Sequence, residues 1–353
     1  MADAPTAHRG RGAVLNPPNR FDTLHYEADP EIDPNELPSP QTQFLRDETR
    51  EIIATNDSPD VGFTYSVNPY RGCEHGCVYC FARPTHEYLG LSSGLDFETK
   101  IFVKEGAPEL LRQALSRKRW VPQIVAISGV TDPYQPIERR LELTRRCIEV
   151  MAEFKNPVVI ITKNHLVTRD SDLLATLAAH GSAAVFLSVT TLDGGLANIM
   201  EPRASTPQRR LEAIATLSAA GVPCGVLVAP VIPAITDHEM PAIIAAAAAA
   251  GARSAGYTIV RLPYAIAPMF EAWLDVHFPD RKEKVLNRIR SLRNGELNDP
   301  RWSSRMRGEG IFADQVKSLF TTACRKAGID GGHPELSADH FRKPTAQFSL
   351  FGN

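Results

Sequence analysis

The sequence predicts an α/β fold in which helices cover a parallel β-sheet. From residue 61 onward, short apolar runs rich in β-branched residues alternate with longer stretches of helical pattern. The alternation repeats about six times, and strands buried on both faces of a parallel sheet are apolar throughout. These observations leave two architectures open, a partial or complete β/α barrel and an open doubly wound sheet, because periodicity alone does not separate them.

The predicted strands are the apolar runs of this unit: Gly62–Val67, Ile124–Ser128, Val158–Thr162, Ala184–Val189, Pro223–Val228 and Tyr257–Arg261. The predicted helices lie between them, at about 107–118, 138–154, 170–181, 207–220 and 238–250. Thr206-Pro207 favours a helix start, because threonine caps the free amides and proline is preorganised for the first helical position.

The alternation is confined to the middle of the chain, and four regions follow from that. Residues 1–60 carry many prolines and little periodicity, which predicts an N-terminal extension that wraps along the surface or is partly disordered. Residues 61–265 form the alternating unit. Residues 266–342 contain two helical stretches, about 268–293 and 311–328, and predict a C-terminal helical region. Residues 343–353 form a tail.

Composition excludes some function classes. The 353 residues carry a net charge of -2, so a broadly basic surface that coats nucleic acid is not expected, although a local basic patch is compatible with this value. The sequence has no run of about eighteen apolar residues, which predicts no membrane span. The N-terminus lacks the apolar centre of a secretion signal, so we expect a cytoplasmic protein.

Three of the six cysteines lie within eight residues, directly after the first predicted strand. They are Cys73, Cys77 and Cys80, separated by three and two residues. Three such thiolates can bind three corners of a cubane iron–sulfur cluster, which leaves the fourth iron free for another molecule. The alternative is a structural zinc site with His75 as the fourth ligand. Zinc sites usually pair two ligand hairpins, and a second hairpin is missing here, so the cluster is favoured.

This spacing, with Tyr79 just before the third cysteine, resembles the radical S-adenosylmethionine (SAM) superfamily. The resemblance implies a partial (β/α)6 radical SAM barrel, with a [4Fe–4S] cluster and SAM as cofactors at the carboxyl ends of the strands. In that family one electron from the cluster cleaves SAM, and the resulting 5′-deoxyadenosyl radical abstracts a hydrogen atom from the substrate. It also implies a partner that donates single electrons, similar to flavodoxin or ferredoxin.

Two segments, residues 68–73 and 128–138, resemble the spore photoproduct lyase-like branch, and the likeness covers roughly residues 61–265. In that branch, residues near the strand ends bind SAM. The matching positions here are Tyr79, Ser128, Thr131, Asp132, Lys163 and Ser188. Each also has a structural interpretation, such as a turn for Thr131 and Asp132, a solvated cation for Lys163, a backbone hydrogen bond for Ser188 or packing for Tyr79. Glu201 and Arg203 are either a polar site or an ordinary surface pair.

One position departs from the branch. Lyases that repair spore DNA carry a cysteine beside the second-strand motif, where this sequence has Gly129 or Val130, so dimer-splitting chemistry is in doubt. Cys224 on the fifth strand could return the hydrogen atom instead, but a cysteine on an apolar strand is usually a core residue. The isolated positions of Cys147 and Cys324 argue against a second cluster.

The C-terminus carries a second motif. Gln347, Leu350 and Phe351 lie in a pentapeptide that resembles the bacterial sliding-clamp-binding motif, in which two apolar side chains fill a pocket and glutamine binds its rim. Phe348 departs from the more usual leucine, and the alternative is a tail that packs on its own protein.

Arginines are dense after the alternating unit and could bind phosphates beside Trp302. They are Arg288, Arg290, Arg293, Arg301, Arg305 and Arg307. A solvated face, balanced by Glu283, Glu296 and Glu309, is the alternative. The pair Arg9 and Arg11 is a weaker candidate of the same kind.

The first hypothesis is therefore a radical SAM enzyme that acts on a modified or damaged base in nucleic acid, in DNA repair, and reaches DNA through its tail. The second is a radical SAM enzyme that modifies a protein or a small metabolite. The third is a non-catalytic iron–sulfur or zinc protein that binds DNA or another partner.

Overall fold

The computed structural model describes residues 8–22, 40–329 and 334–344. Its strands in chain order are β1 Gln43–Arg46, β2 Ile53–Thr55, β3 Tyr65–Val67, β4 Tyr70–Arg71, β5 Lys100–Val103, β6 Val125–Ile127, β7 Val158–Thr162, β8 Ala183–Ser188, β9 Cys224–Val231 and β10 Ser254–Ile259. Its α-helices are α1 Leu95–Thr99, α2 Ala107–Ser116, α3 Glu138–Leu141, α4 Leu143–Phe154, α5 Ser171–Ala178, α6 Gly194–Met200, α7 Pro207–Ala219, α8 Met240–Ala249, α9 Ile266–His277, α10 Lys282–Ser291, α11 Ser304–Arg307 and α12 Ile311–Ala327.

The main sheet has barrel topology. Strands β3, β6, β7, β8, β9 and β10 lie side by side in that order, each parallel to its neighbour. The chain therefore always advances in one direction around the sheet, whereas a doubly wound sheet reverses its strand order. At one edge β2 pairs antiparallel with β3, with Ile53 opposite Val67, and β10 lies at the other edge. The barrel is open, and the predicted partial (β/α)6 fold is confirmed.

Each predicted strand and helix of residues 61–265 has a counterpart that begins and ends within a few residues of its expected bounds. Two long stretches were predicted as continuous helices, and this was wrong because each is interrupted. The stretch 138–154 is α3 and α4, separated by Glu142 in the left-handed region at φ 52°. The stretch 268–293 is α9 and α10, because Pro279 cannot donate the hydrogen bond that would continue α9.

The described part of the N-terminal extension contributes strands that the sequence did not predict. β1 pairs parallel with β5 in a three-stranded sheet completed by β4, and β2 borders the barrel. Both strands are short and mostly exposed, so they show no apolar run. The division of the chain at residues 60, 265 and 342 stays a prediction.

The two largest apolar clusters among the described residues hold the barrel and its C-terminal helices together. The larger one lies between the barrel strands and their helices, and it includes Val316 and Phe320 of α12, which packs against the alanine-rich α8. The smaller one joins Val78 of the cysteine loop to Trp273 of α9. The C-terminal helices therefore share the core of the barrel and support the cysteine loop.

Within the described ranges, every helix is too short or too polar to cross a lipid bilayer. The expected cytoplasmic location stays a prediction.

Candidate functional site

The three cysteines lie on one loop that follows β4, at the carboxyl ends of the parallel strands. The Cys73 amide donates to the Phe97 carbonyl, and the Cys80 amide donates to the Cys77 carbonyl. Gly72 and Gly76 have φ angles of 79° and 67°, a conformation that glycine adopts without strain. A side chain at Gly72 would also collide with His86 and Phe97. The loop is therefore compact, and its glycines are needed for its path.

The environment of the sulfurs favours neutral thiols unless a cation takes up their charge. Burial raises the pKa of Cys73, and Asp132 and the other two cysteines raise it further. Burial raises the pKa of Cys77, and the charge of Glu201 adds a smaller increase. Burial also raises the pKa of Cys80, although Arg83 opposes the shift. The three sulfurs are thus close enough to affect one another. Iron bound to them would stabilise the thiolates.

The segment of residues 128–138, which resembles the lyase-like branch, contacts this loop through several hydrogen bonds. The Thr131 hydroxyl and the Gln135 amide both donate to the Gly72 carbonyl, over 2.5 and 3.2 Å. The Gln135 side chain also accepts from the Glu74 amide at 2.9 Å, and the Glu74 carboxylate accepts from the Ile137 amide at 2.9 Å. The motif therefore fixes the cysteine loop to the ends of β3 and β6. Sequence analysis did not single out Gln135 or Glu74 for this role.

Asp132 joins three strand ends. Its carboxylate accepts from the Thr162 hydroxyl at 2.7 Å and from the Lys163 amide at 2.8 Å, and it lies 3.3 Å from Nδ1 of His75. Burial raises the pKa of Asp132, but His75 and these two donors outweigh it and leave the pKa below its usual value. The carboxylate is therefore already occupied by protein partners.

His75 is not placed to complete a zinc site. Its Nδ1 faces Asp132, and its Nε2 lies 3.2 Å from the Asn164 side-chain amide. In the ranges that the structure describes, His, Cys, Asp and Glu side chains form no group of three that could hold a metal ion. Both ring nitrogens of His75 therefore face protein groups, and the zinc alternative would lack this ligand in the described arrangement.

A buried charged group lies beside the loop at the ends of β7, β8 and β9. Glu201 is fully buried and contacts the Tyr79 hydroxyl and the Arg210 guanidinium, and it lies 3.3 Å from Nζ of Lys163. Lys163 also donates to the Ala229 carbonyl at 3.0 Å. Burial lowers the pKa of Lys163 to about 8, although nearby Cys77 opposes the shift. Glu201 thus belongs to a buried polar site.

The remaining predicted site residues differ in whether their side chains already have partners in the protein. Ser128 and Ser188 lie at the ends of β6 and β8, and within the described chain their hydroxyls make no hydrogen bond. Tyr79 is buried, and its hydroxyl is held by Glu201. Arg203 lies 3.2 Å from Glu74, so Glu201 and Arg203 are not an ion pair with each other. The structure brings all these residues to the carboxyl end of the barrel.

An N-terminal segment covers the cysteine loop. The amides of Gly12 and Ala13 donate to the fully buried Glu98 carboxylate, at 3.1 and 2.8 Å. The same carboxylate pairs with Arg83, which donates to the Cys77 carbonyl at 2.9 Å. A Cβ atom at Gly12 would come within 1.8 Å of the Gly76 carbonyl oxygen. Glu98 and Arg83 follow no recognisable spacing in the sequence, so only the fold reveals this contact.

Arg11 shares that structural role. Its guanidinium donates to the carbonyls of Glu98 and Pro40, at 3.1 and 2.7 Å. The sequence had suggested phosphate binding for this arginine, and the structure shows a side chain that holds the N-terminal segment in place.

Cys224 lies at the opposite end of the barrel from the cysteine loop. It is the first residue of β9, is buried in the larger apolar cluster, and has a pKa raised to about 12 by burial. A strand rises about 3.3 Å per residue, so the length of β9 separates Cys224 from the strand's carboxyl end by about 20 Å. The core interpretation of Cys224 fits this position.

The C-terminal arginines do not form one surface. Arg293 is buried and donates to the Val260 carbonyl at 2.6 Å, so its prediction as a surface residue was wrong. Arg301 pairs with Asp299 and Glu309, at 2.8 and 2.9 Å. Arg288 lies over the Phe312 ring. The sequence could not separate these cases because all share one composition. The tail motif, with Gln347, Leu350 and Phe351, lies outside the described residues.

Comparisons with known proteins agree with this geometry. The model of the radical SAM superfamily matches residues 67–247. An uncharacterised protein of Mycobacterium tuberculosis is 38% identical over 248 residues, which are 69% of this chain and 72% of that protein. An uncharacterised protein of Methanocaldococcus jannaschii is 29% identical over 178 residues, 50% of this chain and 64% of that protein.

Solved structures show the same fold. A spore photoproduct lyase variant matches with a TM-score of 0.58 at 16% identity, over 80% of this chain and 78% of that chain. The lyase complexed with a dinucleoside spore photoproduct matches with a TM-score of 0.57 at 15% identity, over 80% and 79% of the two chains.

An open parallel barrel with a three-cysteine loop at its carboxyl end defines a class of enzyme that uses a [4Fe–4S] cluster and SAM. The chain belongs to the radical SAM superfamily. Enzymes of this superfamily also need a reductant.

Proposed function

We propose that Cys73, Cys77 and Cys80 hold the [4Fe–4S] cluster and leave its fourth iron free to bind SAM. The observation that supports this proposal is the loop itself, in which buried Cys73 and Cys77 and half-buried Cys80 lie within eight residues at the carboxyl end of the barrel. The nearby side chains that could supply a fourth ligand have other partners: His75 faces Asp132 and Asn164, and Glu74 is held by the Ile137 amide and Arg203.

When bound, the reduced cluster supplies the electron that cleaves SAM to methionine and a 5′-deoxyadenosyl radical, which takes a hydrogen atom from the substrate. The chain contributes position and shielding. Ser128 and Ser188 offer free hydroxyls to SAM, and Lys163 offers a cation for its carboxylate. Thr131 and Asp132 border the bound SAM and also hold the cysteine loop, and Tyr79 borders the adenine side.

We propose a modified or damaged base in nucleic acid as the substrate. Two observations support this choice: the likeness of fold to spore photoproduct lyase, and a solved lyase that holds a dinucleoside spore photoproduct. The product radical must be quenched in another way than in the lyases that repair spore DNA. Gly129 and Val130 carry no thiol, and Cys224 lies at the far end of the barrel. A role in DNA repair with the sliding clamp as partner, through Gln347–Phe351, is part of the same proposal.

The test is anaerobic reconstitution with iron and sulfide, followed by reduction with dithionite in the presence of SAM. The proposal predicts four irons per chain and formation of 5′-deoxyadenosine, both lost when the three cysteines are replaced by alanine. Retention of an unchanged iron centre in that triple variant would rule out the assignment. Turnover with pools of deuterium-labelled oligonucleotides, followed by deuterium in 5′-deoxyadenosine, tests the substrate class.

Clamp binding is tested separately by retention of the full chain on immobilised clamp. A variant with Leu350 and Phe351 replaced by alanine should lose retention, and equal retention of both proteins would remove the tail from the proposal.

A further inference from the structure

A row of exposed aromatic side chains borders the cysteine loop. Single exposed apolar side chains are normal on a soluble surface, whereas a contiguous group of them marks an interaction site. The members of this row are 48 to 73% exposed. They are Phe21, Phe81, Tyr88, Tyr264 and Trp302. Phe81 directly follows the third cysteine of the loop, so the row reaches the edge of the reaction site. We call these five side chains, with Arg20, Arg261 and Arg305, the rim surface.

Arginines connect the members of the rim surface. Arg20 lies over Tyr264 at 3.9 Å and over Phe21 at 4.7 Å from the ring centroids. Three residues before Tyr264, Arg261 lies 4.8 Å from the centroid of Phe81. Arg305 lies 4.0 Å from the centroid of Trp302. The surface therefore alternates ring faces with guanidinium groups.

Arg261 is the cation of this surface that has no acidic partner. Arg20 pairs with Glu87 at 3.0 Å, and Arg305 pairs with Asp60 at 2.5 Å. Arg261, in contrast, makes neither an ion pair nor a hydrogen bond within residues 8–22, 40–329 and 334–344. It is half-buried. Burial and the neighbouring Arg305 lower its pKa, while Asp60 and Cys80 oppose the shift. These effects place Arg261 close to both Arg305 and Cys80.

A buried arginine adds positive charge behind Arg261. Two nitrogens of Arg293, Nε and Nη1, are buried and have no hydrogen-bond partner among the described residues. Burial and the charge of Arg261 together lower the pKa of Arg293 to about 10. Asp299, the acid whose charge acts on Arg293, is already held by Arg301 and by the Ser304 hydroxyl. The positive charges of Arg261 and Arg293 are therefore not balanced by a free carboxylate in the described part of the chain, and an anion beside Arg261 would balance them.

We propose that the rim surface binds a single-stranded stretch of nucleic acid, with a phosphodiester on Arg261 and unpaired bases stacked on Phe81 and Trp302. The inference rests on the proposed function and names how that substrate is held. Bases can reach ring faces only when they are unpaired, and stacking of this kind tolerates any sequence. An acidic peptide would satisfy Arg261 but would leave the ring faces without planar partners.

Backbone conformation gives independent support. Tyr264 and Ser303, the neighbour of Trp302, have positive φ angles of 52° and 61°. Non-glycine residues pay for this conformation, and such strain is concentrated at binding sites. Two segments of the rim surface thus adopt a strained backbone conformation beside an exposed ring.

The test measures binding of a fluorescein-labelled oligothymidylate of about 12 nucleotides to the reconstituted full chain by fluorescence anisotropy. Arg261→Gln should weaken binding about tenfold and reduce the slope of log K against log salt by about 0.7, because one phosphate contact is lost. Phe81→Ala and Trp302→Ala should each weaken binding about tenfold with little change in that slope. Arg112→Gln, an exposed arginine paired with Glu153, is the matched control and should bind like the unaltered chain.

The outcomes separate this inference from the proposed function. Unaltered binding in Arg261→Gln, Phe81→Ala and Trp302→Ala, or equal affinity for a duplex of the same sequence, would overturn it. Iron content and thermal melting of each variant show whether a loss of oligonucleotide binding arises from misfolding. If Arg261→Gln does not fold, Phe81→Ala and Trp302→Ala still test the surface, because both side chains are exposed. Formation of 5′-deoxyadenosine by the unaltered chain without oligonucleotide binding would refute the rim surface alone. Oligonucleotide binding without 5′-deoxyadenosine would refute the proposed function alone.

Discussion

Glu98→Gln should release the N-terminal segment from the cysteine loop. The Glu98 carboxylate accepts from Gly12, Ala13 and Arg83, and it is fully buried. Glutamine keeps one acceptor oxygen, while its amide nitrogen cannot accept. One buried donor then loses its partner at a cost of about 1–3 kcal/mol, and the bonds that remain lose the strength that the charge gave them. A total of about 3 kcal/mol corresponds to a roughly hundredfold increase in opening.

The assay is hydrogen–deuterium exchange at the amides of Gly12 and Ala13, with the loss of the cluster's visible absorbance in air as a second readout. Both rates should rise in Glu98→Gln. Gly12→Ala tests the same contact from the other side, because its new Cβ would collide with the Gly76 carbonyl. Glu153→Gln, which alters an exposed ion pair worth at most about 1 kcal/mol, is the control. If Glu98→Gln exchanged at the rate of the unaltered chain, the segment would not depend on this carboxylate.

Three further predictions follow from the site. Replacement of any one of the three loop cysteines by alanine should reduce the iron bound per chain several-fold, whereas Cys324→Ala, in the core, should retain it; equal iron in both would contradict the ligand assignment. Glu201→Gln leaves two buried cations without their counter-charge and should lower the free energy of unfolding in urea by about 3–5 kcal/mol, against at most about 1 for the exposed Glu212→Gln. Burial lowers the pKa of His86 to about 4, so the unfolded chain binds a proton first and stability should fall by about 3 kcal/mol as pH drops from about 6.5 to about 4; an unchanged pH slope in His86→Phe would contradict this.

The local pattern of the sequence was sufficient for much of the fold. The six barrel strands are apolar because helices or loops cover both faces, and that composition is visible without coordinates. The cysteine spacing is equally local, since one loop of eight residues contains all three sulfurs. Residues at strand ends were predicted to meet, and Thr131, Lys163 and Ser188 do lie at one end of the barrel, because parallel strands bring their carboxyl ends to the same edge.

Other features depend on contacts between residues far apart in the chain, which no local pattern encodes. Glu98 meets Gly12 across 86 positions, and Arg305 meets Asp60 across 245. Thr131 and Asp132 stay predicted SAM contacts, and only the structure shows that they also bond the Gly72 carbonyl and the Thr162 hydroxyl. Composition alone also could not separate buried Arg293 from exposed Arg301, because burial is decided by tertiary contacts such as the bond from Arg293 to the Val260 carbonyl.

The sequence by itself determined the strand–helix alternation and the three-sulfur loop, because hydrophobic periodicity and short-range spacing act within a few residues. Only the tertiary structure decided that the sheet is an open barrel, that the N-terminal segment covers the cysteine loop, and that aromatic and arginine side chains from four distant segments form one rim. Those features arise when the chain buries its apolar surface, and that process pairs residues by their position in space and not by their order in the sequence.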